Sequence, residues 1–248
     1  MIDRQPVRQL LFLVLLAAVF NLLGFRPLFS GDDRIKVKGE RSGYYFSKKG
    51  VKTMDTADKI SEEEGNYLLR VARNTIQNTL NNEKPPQIDW KELPEKFQQQ
   101  MGTFVTITID ENLRGCIGHI IPRETVVEGI RENAVNAAFK DPRFPPLTKK
   151  EFGKAKIEIS ILTPPRELSY ADAEDLLRKL RPGVDGVIIN KGYQEATFLP
   201  QVWEQLPNKE EFLSHLCMKA GLPHDSWRKE KLRISTYQVQ AFEEGEAG

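Results

Sequence analysis

Cys116 sits in the segment Leu113-Arg114-Gly115-Cys116-Ile117-Gly118, two residues from a guanidinium and between two glycines. The thiolate is the nucleophilic form of cysteine, and a nearby guanidinium favours it by lowering the thiol pKa. Side chains alternate along a strand, so Arg114, Cys116 and Gly118 are expected on one face, with Leu113, Gly115, Ile117 and His119 on the other. That places the guanidinium beside the thiol and makes Gly115 and Gly118 points where a ligand or another backbone comes close. The chemistry on offer is a nucleophilic or redox thiol, with Arg114 holding the thiolate or an anionic group in its fork of donors. A plainer reading stands beside it. Cys116 is then a buried cysteine in a strand whose glycines mark a bulge or a tight contact, and Arg114 pairs with Glu158 or another buried acid. His119 points away from Cys116 on a regular strand, which speaks against a Cys-His dyad or metal site.

These residues need a sheet to position them. Thr103 to Ile109 is enriched in β-branched and aromatic residues, and Asp110-Glu111-Asn112 supplies a turn, so a hairpin carries the cysteine. Before it, Ser61 and Glu62 to Glu64 open a helix whose stripe is Leu68, Leu69, Ala72, Ile76 and Leu80, and Pro85-Pro86 stops it. After it, Val127, Ile130, Ala134 and Ala138 form a second helical stripe, which Pro142, Pro145 and Pro146 prevent from continuing. Ile157, Ile159 and Ile161 alternate with Glu158 and Ser160 as a strand. A short helix is expected from a cap at Ser169 to Leu180, then a hairpin turning at Lys191-Gly192. Asn208 and Glu211 open a further helix ended by Gly221 and Pro223, with Cys217 in its core stripe, and Leu232 to Phe242 reads as one closing strand. Hairpins without a βαβ series imply α+β with an antiparallel sheet flanked by helices.

Composition bounds the function. Lys and Arg number 36 against 35 Asp and Glu, so the net charge of +1 supplies no broad basic field for nucleic acid. Two cysteines and three histidines form no CxxC, HExxH or zinc spacing, and there is no P-loop or GxGxxG. No metal or cofactor is therefore named. Residues 1–30 differ from the rest: Arg4 and Arg8 precede an apolar run over residues 10–25, near the lower limit for a spanning helix. This reads as a signal anchor or signal peptide, with residues 31–59 as a polar tether and 60–245 as the globular domain. A short basic N-tail before a run of this kind exports the downstream domain. Arg26, Arg34, Lys36, Lys38 and Arg41 instead favour the cytoplasm for the downstream side.

Several long blocks now carry a resemblance. Leu113 to Gly118, Arg131 to Thr148, Lys156 to Pro165, Gly183 to Ile189, Ala196 to Pro223 and Tyr237 to Glu244 together resemble the AMME syndrome critical-region protein family. Its prokaryotic members are called AmmeMemoRadiSam system protein A. The resemblance implies an α+β fold of two subdomains, with the Cys116 segment near the cleft between them. It also implies partnership with a Memo-family protein and a radical SAM enzyme. Within the matching blocks the candidate catalytic residue is Cys116. The candidate binding residues are Arg114, Gly115, Gly118, Glu132, Asn133, Asp141, Arg143 and Glu158. Glu158 interrupts an apolar strand and is placed to act as acid or base if its face lines a cleft. Asp141 and Arg143 fix a turn in the plainer reading, and Glu132 is solvated. Two classes of function remain, a thiol-using enzyme and a non-catalytic protein that binds a ligand or docks a partner.

Overall fold

Ser61 begins helix α1 (Glu62–Leu80) with a capping box: its hydroxyl accepts from the Glu64 amide, and the Glu64 carboxylate accepts from the Ser61 amide. The expected stripe, Leu68, Leu69, Ala72 and Ile76, is buried. The computed structural model describes residues 59–245. The apolar N-terminal segment and nearly all of the tether lie outside the described residues.

Two four-stranded antiparallel sheets organise the described residues. The first holds β1 (Gly102–Ile109), β2 (Asn112–His119), β3 (Ala155–Leu162) and β8 (Val239–Glu243), in the order β2-β1-β3-β8. Helices α1 and α2 (Val126–Phe139) cover one side of it, where Ile157, Ile159 and Ile161 are buried. The second holds β4 (Arg166–Glu167), β5 (Gly186–Lys191), β6 (Gln194–Phe198) and β7 (Arg233–Tyr237), in the order β4-β7-β5-β6. Its core is shared with helices α4 (Ala173–Lys179) and α5 (Lys209–Lys219), and Cys217 lies inside it as expected. Asn208 caps α5 by accepting from the Glu210 and Glu211 amides. Among the described residues there are also two short helices, α3 (Lys149–Phe152) and α6 (Ser226–Lys229).

Two expectations need correction. The closing strand is two strands, and Gln238 marks the crossing from the second sheet to the first. There it bonds Thr163 in both directions, amide to hydroxyl at 2.9 Å and carbonyl from amide at 3.0 Å. The chain also leaves the first sheet at Thr163, so both crossings run side by side. The short helix is capped by Asp172, whose carboxylate accepts from the Asp175 amide, rather than by Ser169. The reason is proximity: Asp172 directly precedes the helix, where its side chain reaches the free amides.

A third cluster joins the sheets. Phe104, Cys116 and Leu162 from the first meet Tyr237 from the second and Leu199 just after β6, with Leu113 and Ile188 packed against them. The Cys116 segment thus lies between the two units, as the resemblance implies, but at Cys116 the boundary is packed rather than open.

Candidate functional site

The alternation expected for β2 fails at one residue. Cys116 pairs with Thr106 and Gly115 with Ile107, but Leu113 pairs with Thr108, so Arg114 is an extra residue in a bulge. The bulge returns Leu113 to the inter-sheet face of Cys116 and turns Arg114 out of the ladder. Arg114 instead donates from Nε to Glu151 at 2.9 Å and from Nη2 to the Pro145 carbonyl at 2.8 Å. Its Nη1 is buried without an acceptor among the described residues. Glu151 is already third in the Thr148 capping box of α3, and the Arg114 guanidinium, with Thr148, draws its carboxyl down to about 2. Arg114 therefore pairs with an acid, but that acid is the partly exposed Glu151 and not Glu158 or another buried one.

The guanidinium near Cys116 belongs to Arg143. The Asp141 carboxylate accepts from the Cys116 amide at 2.9 Å and from Arg143 at Nε and Nη2, 2.9 and 2.6 Å away. Arg143 Nη2 also donates to the Cys116 carbonyl at 3.3 Å. Together they satisfy both outward backbone groups of Cys116, as a neighbouring strand would. Burial alone would raise the Asp141 carboxyl. Arg143 and the two amides outweigh it and hold the group below its ordinary value. The Arg114 and Arg143 guanidiniums both approach the Phe144 ring, 5.7 and 5.4 Å from its centre.

Cys116 is fully buried, and its sulfur accepts from the Thr106 hydroxyl at 3.3 Å. Burial pushes the thiol up to about 11, and Thr106 and Arg143 only moderate the rise. The expected depressed pKa is reversed, because the bulge removes Arg114 while the second sheet removes water. The two glycines approach backbone rather than ligand. A Cβ on Gly115 would lie 2.1 Å from the Ala137 carbonyl oxygen of α2, and one on Gly118 would lie 2.2 Å from the Thr103 carbonyl oxygen. Asn133 is buried and donates to the Thr103 carbonyl and hydroxyl at 3.1 and 2.9 Å, tying α2 to β1. Glu132 is exposed, as its plainer reading requires. His119 lies on the helix side with Nε2 3.0 Å from a Glu124 carboxylate oxygen. The contact has ion-pair distance but lacks hydrogen-bond alignment.

Glu158 is the site residue left with chemistry. Strand register sets Cys116, Thr106, Glu158 and Glu243 in one row across β2, β1, β3 and β8 on the inter-sheet face. Burial first, and the Glu243 carboxylate second, push the Glu158 carboxyl up to about 7, while a hydrogen bond with Ser160 works against them. Thr106 and Glu243 were not foreseen, because nothing in their own sequence neighbourhoods reveals the cross-strand register.

A raised carboxyl is a stability statement. The folded form holds the Glu158 proton more tightly than the unfolded chain, whose glutamate titrates at ~4.3, so ionisation opposes folding as pH climbs from there to about 7. Glu158→Gln is expected to raise unfolding free energy by about 2 kcal/mol at pH 8, after allowance for partial exposure, and by almost nothing at pH 4. Urea unfolding of both proteins at the two pH values checks this. An equal change at both would mean that the carboxyl is not titrating in this window.

The AMMECR1 family model matches residues 69–242. A protein of Methanocaldococcus jannaschii is 41% identical over 194 residues, covering 75% of this chain and 93% of the relative. A protein of Nanoarchaeum equitans is 39% identical over 179 residues, covering 71% of this chain and 98% of its own. Among solved structures, an uncharacterised protein of Pyrococcus horikoshii aligns with a TM-score of 0.63 and 37% identity, over 75% of this chain and 93% of that one.

Proposed function

Because the chain belongs to the AMMECR1 family, we propose that it is the binding component of a system with a Memo-family protein and a radical SAM enzyme. On this reading Cys116 is structural, and the inter-sheet face around Glu158 takes the ligand or partner. The N-terminal run over residues 10–25 holds the domain at a membrane.

The burial of Cys116 carries this choice. Its thiol has no exposed surface, is bonded to Thr106 and is pushed up to about 11, so at neutral pH it is neither accessible nor ionised. Arg114, Gly115, Asn133, Asp141 and Arg143 are likewise occupied by internal contacts. A family resemblance to a multi-protein system supports a role in assembly.

The thiol gives the first test. Cys217 is buried and its thiol is also raised, chiefly by burial. Neither cysteine of the native protein is expected to react with iodoacetamide at pH 7.5, and both should react in urea. Selective native labelling of Cys116 would return the thiol to the active chemistry. Co-expression with the Memo-family and radical SAM proteins gives the second test, and Cys116→Ser should co-purify with them as the parent does. A variant that assembles yet loses the system's activity would overturn the binding role.

A second reading has its own observation. A carboxyl poised at about 7 transfers protons efficiently at neutral pH, which favours an acid-base enzyme with Glu158 in the catalytic role. Loss of turnover in Glu158→Gln, with assembly intact, would select it.

A further inference from the structure

A sheet edge presents unpaired amides and carbonyls, and folded proteins protect such edges with bulges, charges or short strands. Three of the four edges here are managed. Strand β2 carries the Arg114 bulge, and Asp141 and Arg143 cover its Cys116 backbone. On β6, the Lys219 ammonium donates to the Thr197 carbonyl at 3.0 Å. Strand β4 is only two residues long.

Strand β8 is different. The Glu244 amide donates to the Ile157 carbonyl at 3.0 Å, and the Ile157 amide donates to the Glu244 carboxylate at 2.9 Å. Residues 240, 242 and 244 therefore face β3, and the backbone groups of Val239, Ala241 and Glu243 point outward. Among the described residues none pairs with them. The strand reads Val-Gln-Ala-Phe-Glu, with no proline, lysine or arginine, and Ala241 and Glu243 are exposed.

Charge defines what fits this edge. Glu243 stands directly across from Glu158, and their like charges oppose each other. Arg73 binds the neighbouring Glu244, and among the described residues no cation pairs with Glu243. We infer that the outer edge of β8 docks an extended segment of a partner protein, which adds as a fifth strand and sets a lysine or arginine against Glu243. The added residue extends the row from Cys116 through Thr106, Glu158 and Glu243, with a cation where the row lacks one. A second copy of this chain fits poorly, because its β8 brings further acid and no base.

The inference rests on the binding role proposed above but fails separately from it. Assembly with the Memo-family and radical SAM proteins tests that role, whereas the edge is tested with synthetic peptides on the full chain. Labelled Thr-Val-Lys-Val-Thr should bind about tenfold more tightly than Thr-Val-Glu-Val-Thr by fluorescence anisotropy. Hydrogen exchange should show the Ala241 and Glu243 amides fast in the free chain and slowed by the lysine peptide. Ala241→Pro removes only an outward amide, so the ladder to β3 survives while peptide binding is lost. Glu243→Lys serves if that variant does not fold, and should reverse the peptide preference. Equal binding of both peptides, no binding, or unchanged binding by Ala241→Pro would overturn the inference. Slow exchange in the free chain would also overturn it. Dependence on protein concentration would then identify a second copy as the occupant, and independence would identify residues 1–58.

Discussion

Asp141→Ala is expected to lower the unfolding free energy by about 3 kcal/mol at pH 7, at the lower end for breaking a buried ion pair. Asp141 is buried and accepts from the Cys116 amide, the Arg143 amide and two Arg143 guanidinium nitrogens. Truncation strands the Cys116 amide away from water, whereas Arg143 keeps a fifth of its side chain exposed and recovers some hydration. In a domain of this size the loss corresponds to a melting temperature about 10 °C lower. Its pH dependence has a definite sign. The folded-state carboxyl lies below its unfolded value, so its contribution is complete above the unfolded pKa of ~3.9 and disappears as pH falls through the folded one. Parent and Asp141→Asn should therefore differ at pH 7 and converge in acid. Urea unfolding across pH 2 to 7 measures this. A loss under about 1 kcal/mol for Asp141→Ala would show that the turn does not hold β2.

Gly115→Ala is expected to cost at least about 3 kcal/mol, above the usual range for one added carbon. The new Cβ would lie 2.1 Å from the Ala137 carbonyl oxygen and 3.0 Å from its carbon, which are backbone atoms of α2 and cannot rotate away. Helix α2 would have to withdraw by on the order of an ångström, loosening Asn133 from Thr103 and opening the packed side of the sheet. Gly192→Ala is the control. Gly192 has a φ of +63° with nothing within 4 Å of a Cβ, so only backbone strain of about 1 kcal/mol is at stake. Thermal unfolding of the two variants separates close approach from conformation. Equal losses would assign Gly115 no special contact.

Where periodicity and capping act locally, the chain could be read directly. Ile157, Ile159 and Ile161 face the helices while Glu158 and Ser160 face the other sheet, because alternation sorts them. Ser61 and Asn208 cap the helices they precede. The candidate site was less legible, since its geometry depends on one irregular position. Treating β2 as regular puts Arg114 beside Cys116, and a single bulge reverses that relation. The plainer reading of the glycines included such a bulge, but sequence alone does not place it. Glu151, the acid that Arg114 finds, is 37 residues away, and its local signal is only the capping box at Thr148. The division of the last strand at Gln238 is equally silent, because Ile234 and Phe242 are both buried and only the sheets they join differ.

The crossing at Thr163 and Gln238 sets the order in which the chain can finish. Every residue of the second sheet lies between β3 and β8, so the 76 residues from 163 to 238 are synthesised before the last strand of the first sheet exists. At about 5–20 residues per second, the edge of β3 that carries Ile159 and Ile161 waits about 4–15 seconds for its neighbour. Only after β8 arrives can the Glu244 carboxylate close on Arg73 of α1, joining the beginning of the described domain to its end.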